Sequence, residues 1–314
     1  MTASPSKPQR VFITGATGVV GVHVIPALIA RGHDVTAVGR SPEKRARLQA
    51  MGARAIELDT FDVAATRRAL DGITTVINLA THMPSSAFKM MLPWEWREND
   101  HIRREGSAAL ADAAIEAGVH RFMQESFAPI YEDGGDRWID ESWPVRPAPY
   151  NRSTLDAERS AARFSERGGA GIVLRFAGFY GPDPMLGEMI GVVKKGWSPL
   201  PGAPDAYWSS LAHEDAASAV VALVDAPAGI YNVCDDEPLV RREFVGAVAS
   251  AVGVSVPRPM PRFLSALGGK SMELLSRSQR MSNARLKAET GWSPKWPSAR
   301  EGIPAAVRER QSRS

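Results

Sequence analysis

With 314 residues and 44% apolar side chains, the chain can bury a large core as one main domain with a smaller dependent lobe. A formal charge of +3, from 38 basic and 35 acidic residues spread along the sequence, leaves no basic stripe and argues against a nucleic-acid partner. A lone cysteine, Cys234, allows no internal disulfide; no Cys/His spacing suits a metal, and no apolar run approaches the roughly 20 residues that span a bilayer.

Residues 1–9 read as a flexible polar tail without the apolar core of a signal peptide, and a cytoplasmic location is expected. Val11–Thr14 is the first predicted strand, followed by a glycine turn and an apolar helix to Ala30 that Pro26 should kink. Asp34–Val38 reads as the second strand, and Ser41-Pro42-Glu43 opens a charged helix ending near Gly52. Ala53–Leu58 is the third strand, Asp62 caps a helix to Leu70, and Thr74–Leu79 is a buried fourth strand. Thr81–Asn99 reads as a long connection rich in Met83, Met90, Met91, Trp94 and Trp96. It is either a hydrophobic lid or ordinary core filling, and a helix to Ala117 follows it. Val119–Glu125 is the fifth strand, Tyr150–Arg167 a helix and Gly171–Phe176 the sixth strand. Proline- and glycine-rich stretches at Trp197–Pro204 and Val256–Pro261 mark a looser lobe. Gly229–Cys234 and the helix Arg241–Val252 are expected to fold back on the sheet.

Strands alternating with helices predict an α/β fold, a Rossmann-type doubly wound parallel sheet with a smaller C-terminal substrate lobe. The expected division assigns 10–180 to dinucleotide binding, with 206–235 returning to it. Residues 181–205 and 236–304 form the lobe, and 305–314 a polar tail.

Thr14-Gly15-Ala16-Thr17-Gly18-Val19-Val20-Gly21 lies between the first strand and its helix. In that setting Gly15 permits a tight turn, Gly18 lets backbone amides approach a pyrophosphate, and Gly21 lets helix and sheet pack closely. Thr17 and Val19 line the same turn. The spacing is Gly-x-x-Gly-x-x-Gly rather than Gly-x-Gly-x-x-Gly. At the end of the second strand, where an acid would favour a free ribose, stand Arg40 and Ser41, with Lys44 and Arg45 one turn later. A cation and a hydroxyl suit a 2′-phosphate, so NADP is expected in preference to NAD.

With these residues the chain resembles the extended branch of the short-chain dehydrogenases/reductases, the NAD-dependent epimerase/dehydratase-like family, over roughly residues 10 to 304. Asp59-Thr60-Phe61-Asp62 is similar to the family's adenine-contacting segment, and Asn78-Leu79-Ala80-Thr81 to its strand end beside pyrophosphate and ribose. The segment from Leu174 to Pro182, with Phe176, Gly178 and Tyr180, is similar to a stretch near the nicotinamide. Gly229–Val233 and Gly291–Pro294 match recurring late segments.

The resemblance implies a tyrosine acid/base, a lysine one helical turn later, and a hydroxyl on the preceding strand. Tyr150 occupies the tyrosine position, Thr154 replaces the lysine, and Ser126 is the candidate hydroxyl. Ser126 precedes Tyr131 by five residues where the family shows four, and Glu132 replaces a glycine, so the strand end carries a bulge or a shifted register. Without a cation at 154, Tyr150 should be the weaker base, since an isolated phenol titrates near pH 10. Glu125 reads as a solvated carboxylate in preference to a substitute acid/base. His82 and Tyr131 are further candidates, His82 as either a ligand contact or a plain loop residue, and His213-Glu214-Asp215 reads as a helix cap.

The leading expectation is an NADP(H)-dependent oxidoreductase that reduces a carbonyl or oxidises an alcohol of a small molecule, as a monomer or homodimer. Two alternatives stay open: an epimerase or dehydratase using its cofactor transiently, and a non-catalytic cofactor-binding sensor or scaffold, motivated by Thr154. A structural interaction protein would bind no dinucleotide at all.

Overall fold

The computed structural model describes residues 7–84, 86–90, 92–259 and 269–313. Residues 1–6 of the expected tail, Met91 and residues 260–261 lie outside them. Seven strands form one sheet in the order β11-β7-β5-β4-β1-β2-β3. They are β1 (Arg10–Thr14), β2 (Asp34–Val38), β3 (Arg54–Ile56), β4 (Thr75–Asn78), β5 (Arg121–Phe127), β7 (Ala170–Phe176) and β11 (Gly229–Val233). Every pairing in it is parallel. Val11, Phe12 and Ile13 are all fully buried, as a strand covered on both faces requires.

Helices α1 (Gly21–Ala30) and α9 (His213–Ala222) pack together on one face. On the other lie α3 (Val63–Ala69), α6 (Ser107–Glu116) and α7 (Ser153–Glu166). Helix α1 runs through Pro26, which withholds an amide from the Val22 carbonyl. Helix α2 (Pro42–Ala50) starts at Ser41, whose Oγ accepts the Lys44 amide at 3.3 Å, and α3 starts at Asp62, which accepts from Ala65 at 2.9 Å.

The connection after β4 is not structureless. It holds α4 (Ala87–Met90), a 3₁₀ turn (Pro93–Trp96) and α5 (Arg97–His101), and a π-helical turn (Ile102–Gly106) joins α5 to α6. Helix α7 begins at Ser153 rather than Tyr150, because the proline at 149 opens a separate 3₁₀ turn (Pro149–Asn151) that carries the tyrosine. Strand β11 joins the sheet beside β7 as expected. Helix α10 (Arg241–Ala251) does not: its apolar face packs on α8 (Pro184–Lys194) and the closing helix Ala299–Ser312, around Leu186, Val193, Phe244, Val248 and Ile303. The small strands β8 (Gly178–Tyr180) and β10 (Ser210–Ala212) pair beside this second core.

Candidate cofactor and catalytic site

The glycine turn is pressed against the end of β4. Thr14 donates its hydroxyl to Asn78 Oδ1 at 2.5 Å, and Gly15, at φ +67°, brings its Cα so close to Leu79 that a Cβ would lie 2.2 Å from the Leu79 carbonyl oxygen. A Cβ on Gly21 would lie 2.6 Å from the Ala16 and Gly15 carbonyl oxygens, so the start of α1 fits only a glycine. Gly18 donates to Gly15 O at 3.0 Å, whereas the Thr17 and Val19 amides take no backbone partner among the described residues. Unpaired amides ahead of a ten-residue helix, in a cradle that side chains would fill, suit an anion.

Arg40 is exposed at the end of β2 and makes no ion pair or hydrogen bond with a described residue. Its neighbour Arg45 is engaged, donating to the Gly39 carbonyl at 3.1 Å and pairing with Glu57 at 2.8 Å. Ser41 Oγ accepts from the Lys44 amide, and its hydroxyl lies within hydrogen-bonding reach of the Glu43 carboxylate. Beyond β3, Asp59 accepts from the Phe61 amide at 3.0 Å, with Thr60 between them, and the Phe61 ring stacks on His101 at 4.6 Å. At the end of β4, buried Asn78 donates to Ser107 Oγ and Gln124 Oε1 and accepts from Ala80, with Thr81 next in the chain. The His82 ring is exposed, while its amide is tied to Asn99 Oδ1 at 2.9 Å.

Tyr150 lies in an apolar nest. Its ring packs against Trp96 at 4.8 Å, in a cluster with Ala148, Leu274, Phe127 and Met90. Burial raises the Tyr150 phenol above the ordinary tyrosine range. Arg277 opposes that rise and Glu273 adds to it. The rise keeps the phenol protonated but makes it a weaker acid, so it would give up its proton only to a strongly basic oxygen such as a developing alkoxide.

Ser126 is fully buried within β5 and gives its hydroxyl to Glu158 Oε1. Glu158 is held by Arg175 through two bonds of 2.8 and 2.7 Å, Arg175 donates to Tyr131 Oη, and Tyr131 donates to Asn232 Oδ1. Ser126 and Tyr131 thus belong to one buried network under the sheet end, and no hydrogen bond joins Ser126 to Tyr150. Phe176 is core, and Gly178 makes room for the Trp208 ring, which a Cβ would approach to 2.6 Å. The Tyr180 hydroxyl is buried against Gly302 of the closing helix.

Two expectations need correction. Glu125 is not a solvated carboxylate: its side chain is 13% exposed and its two oxygens accept from Nε and Nη2 of Arg103. His213 does not cap α9: the N-cap residue is Ala212, with no side-chain cap bond, and the buried imidazole lies 3.6 Å from Asp183 instead. Burial lowers the His213 pKa, with Asp183 opposing.

Arg103 joins the site from outside the sequence motifs. It is 1% exposed, and its Nη1 donates to Thr154 Oγ1 at 3.0 Å. Its signal was a lone cation at the spacing of Ser107, Leu110 and Ala114, all of them buried.

The sequence profile described as the NAD dependent epimerase/dehydratase family matches residues 11–234. The chain is 30% identical to a 3-diazoavenalumate denitrifying reductase of Streptomyces, over 94% of this chain and 99% of that one. It is 26% identical to a 4-hydroxy-2-methyl-3-oxo-4-farnesyl-3,4-dihydroquinoline-1-oxide ketoreductase of Stigmatella aurantiaca, over 78% and 74% of the two chains. Among solved structures, the NAD complex of Thermus thermophilus UDP-glucose 4-epimerase is similar with a TM-score of 0.76. That match covers 97% of this chain and 100% of the other at 25% identity.

Proposed function

The chain belongs to the NAD dependent epimerase/dehydratase family, and from that premise we propose that it is an NADP(H)-dependent oxidoreductase reducing a carbonyl on a small, largely apolar molecule. The observation that carries this reading is Tyr150, a buried, protonated phenol among Trp96, Phe127, Met90 and Leu274. A reduced nicotinamide bound beside it would supply the hydride. Tyr150 would then give its proton to the substrate oxygen as the carbonyl becomes an alcohol. Ser126, with its hydroxyl engaged by Glu158, serves in this reading to position the end of β5.

An apolar nest around the acid matches a flat or greasy carbonyl better than a hydroxyl-rich sugar, because each unmatched sugar hydroxyl would lose its water without replacement. The reductase and ketoreductase among the relatives accord with that choice. Arg40 and Ser41 would take the 2′-phosphate and the amides of Thr17 and Val19 the pyrophosphate, with Asp59, Thr60, Ala80 and Thr81 along the edge. In this reading residues 10–180 with 206–235 hold the cofactor, and 181–205 with 236–304 close on the substrate.

The test is NADPH consumption by the purified chain over a panel of aromatic and alicyclic ketones and aldehydes, with UDP-glucose as the sugar comparison. Stoichiometric NADPH loss with alcohol formation from an apolar carbonyl is expected. Turnover of UDP-glucose with no net NADPH loss would overturn the reading in favour of epimerase chemistry.

A further inference from the structure

Position 154 carries a threonine where the resembled pattern carries a lysine, and a guanidinium from another helix has come to it. Arg103 Nη1 donates to Thr154 Oγ1 at 3.0 Å while Nε and Nη2 bind both oxygens of Glu125. Both Thr154 and Arg103 are enclosed, at 0% and 1% exposure.

Three independent features bear on what this cation does. Arg103 projects from the π-helical turn between α5 and α6, and turns of that kind re-aim side chains and recur at functional sites. Burying an ion pair costs solvation that an apolar filler of the same volume would not, so the pair is a poor choice for stability alone. Glu125 also keeps an accessible edge near the C-terminal end of β5.

The sheet order decides which part of a ligand lies there. The glycine turn follows β1, Arg40 follows β2 on one side, and β4 then β5 lie on the other. A dinucleotide with its pyrophosphate on the turn and its adenosine toward Arg40 carries its nicotinamide half over β4 and β5. Arg103 commits three of its five guanidinium N–H groups to Glu125 and Thr154, and at 1% exposure it bears on a ligand through those side chains, of which Glu125 keeps the accessible edge.

We propose that Arg103 is the relocated cation of this site, a positioning residue that acts through Glu125 and Thr154 to hold the nicotinamide–ribose half of the cofactor. It brings, from the π-helical turn, a guanidinium to the side chain of residue 154, with its charge shared with Glu125. The inference rests on the dinucleotide reading above.

Calorimetric titrations of the full chain test it, comparing NADPH with 2′,5′-ADP, which keeps only the adenylate half. The proteins are wild type, Arg103→Met, Arg103→Lys, and the double variant Arg103→Met/Thr154→Lys, which returns the charge from the other side. Arg103→Met should weaken NADPH by about tenfold, the scale of one charge-assisted hydrogen bond, and leave 2′,5′-ADP within about twofold. The double variant should recover most of that loss. Equal weakening of both ligands, unchanged NADPH affinity, or a double variant no better than Arg103→Met would each overturn the assignment. If Arg103→Met does not fold, Arg103→Lys and the double variant decide: both should hold NADPH within about threefold of wild type, and a larger loss in the double overturns it. A wild type that binds NADH and ADP but not 2′,5′-ADP refutes the NADP preference alone, and Arg103 is then judged on NADH against ADP.

Discussion

Arg40 and Arg45 are five residues apart in the same stretch, yet only Arg45 is spent, on the Gly39 carbonyl and Glu57. An unpaired guanidinium at the end of β2 is the natural partner of a 2′-phosphate. Arg40→Ala should cost NADPH about 1.5–3 kcal/mol of binding and NADH much less, and equal losses by calorimetry would remove Arg40 from the cofactor site. Tyr150→Phe should lower carbonyl turnover by about a hundredfold or more while NADPH affinity is retained, and unchanged turnover would move the acid elsewhere. Thr154→Lys alone should not restore a tyrosine–lysine pair. Its ammonium would be buried against Arg103 with a single carboxylate, Glu125, to share, so thermal denaturation should show a lower Tm than wild type. A Tm equal to or above wild type would mean that the guanidinium does not occupy that space. The place of Arg40 just beyond β2 follows from where that strand ends, which the sequence predicts. The place of Arg103 does not follow from the sequence, because the contact that gives it meaning spans 51 residues.

At the scale of elements, the glycine turn followed from the sequence almost residue for residue, since a strand, three glycines and an apolar helix are local signals. Gly15 is its strictest position, with a φ of +67° and a Cβ site inside the Leu79 carbonyl. Gly15→Ala should therefore both destabilise the fold by at least about 1–3 kcal/mol and abolish detectable NADPH binding, as read by thermal melts and calorimetry. Wild-type affinity in a folded Gly15→Ala protein would show that the cofactor does not use the turn. The start of α7 was placed three residues early, because periodicity alone does not separate a 3₁₀ turn at Pro149–Asn151 from the helix that follows it. The π-helical turn left no periodicity signal either, as one extra residue in a helix is invisible until the side chains on its two flanks are placed.

For the whole molecule, the charge left inside sets the response to pH. Asp235 is buried, accepts from Ser210 Oγ at 2.7 Å on one oxygen and has no partner on the other, and burial raises its pKa well above the ordinary carboxylate value. With the folded pKa above the unfolded one, the folded state keeps the proton longer. This contribution to stability is complete below the unfolded pKa near 4 and declines as pH rises towards the folded pKa. Asp235→Asn removes that dependence, so its Tm relative to wild type should increase between about pH 4 and pH 8, and a constant or falling difference would count against the buried acid. The sequence by itself determined the parallel sheet, the seven strands that enter it and the glycine turn, because hydrophobic period, glycine spacing and helix caps act over a few residues. Only the tertiary structure decided that Ser126 gives its hydroxyl to Glu158, that Tyr131 closes a network with Asn232 across 101 residues, and that α10 packs on α8 and the closing helix rather than the sheet. It alone set Arg103 beside Thr154. Those outcomes depend on how strands and helices far apart in sequence come into register, and the cost of burying an unpaired charge or hydroxyl then selects each partner.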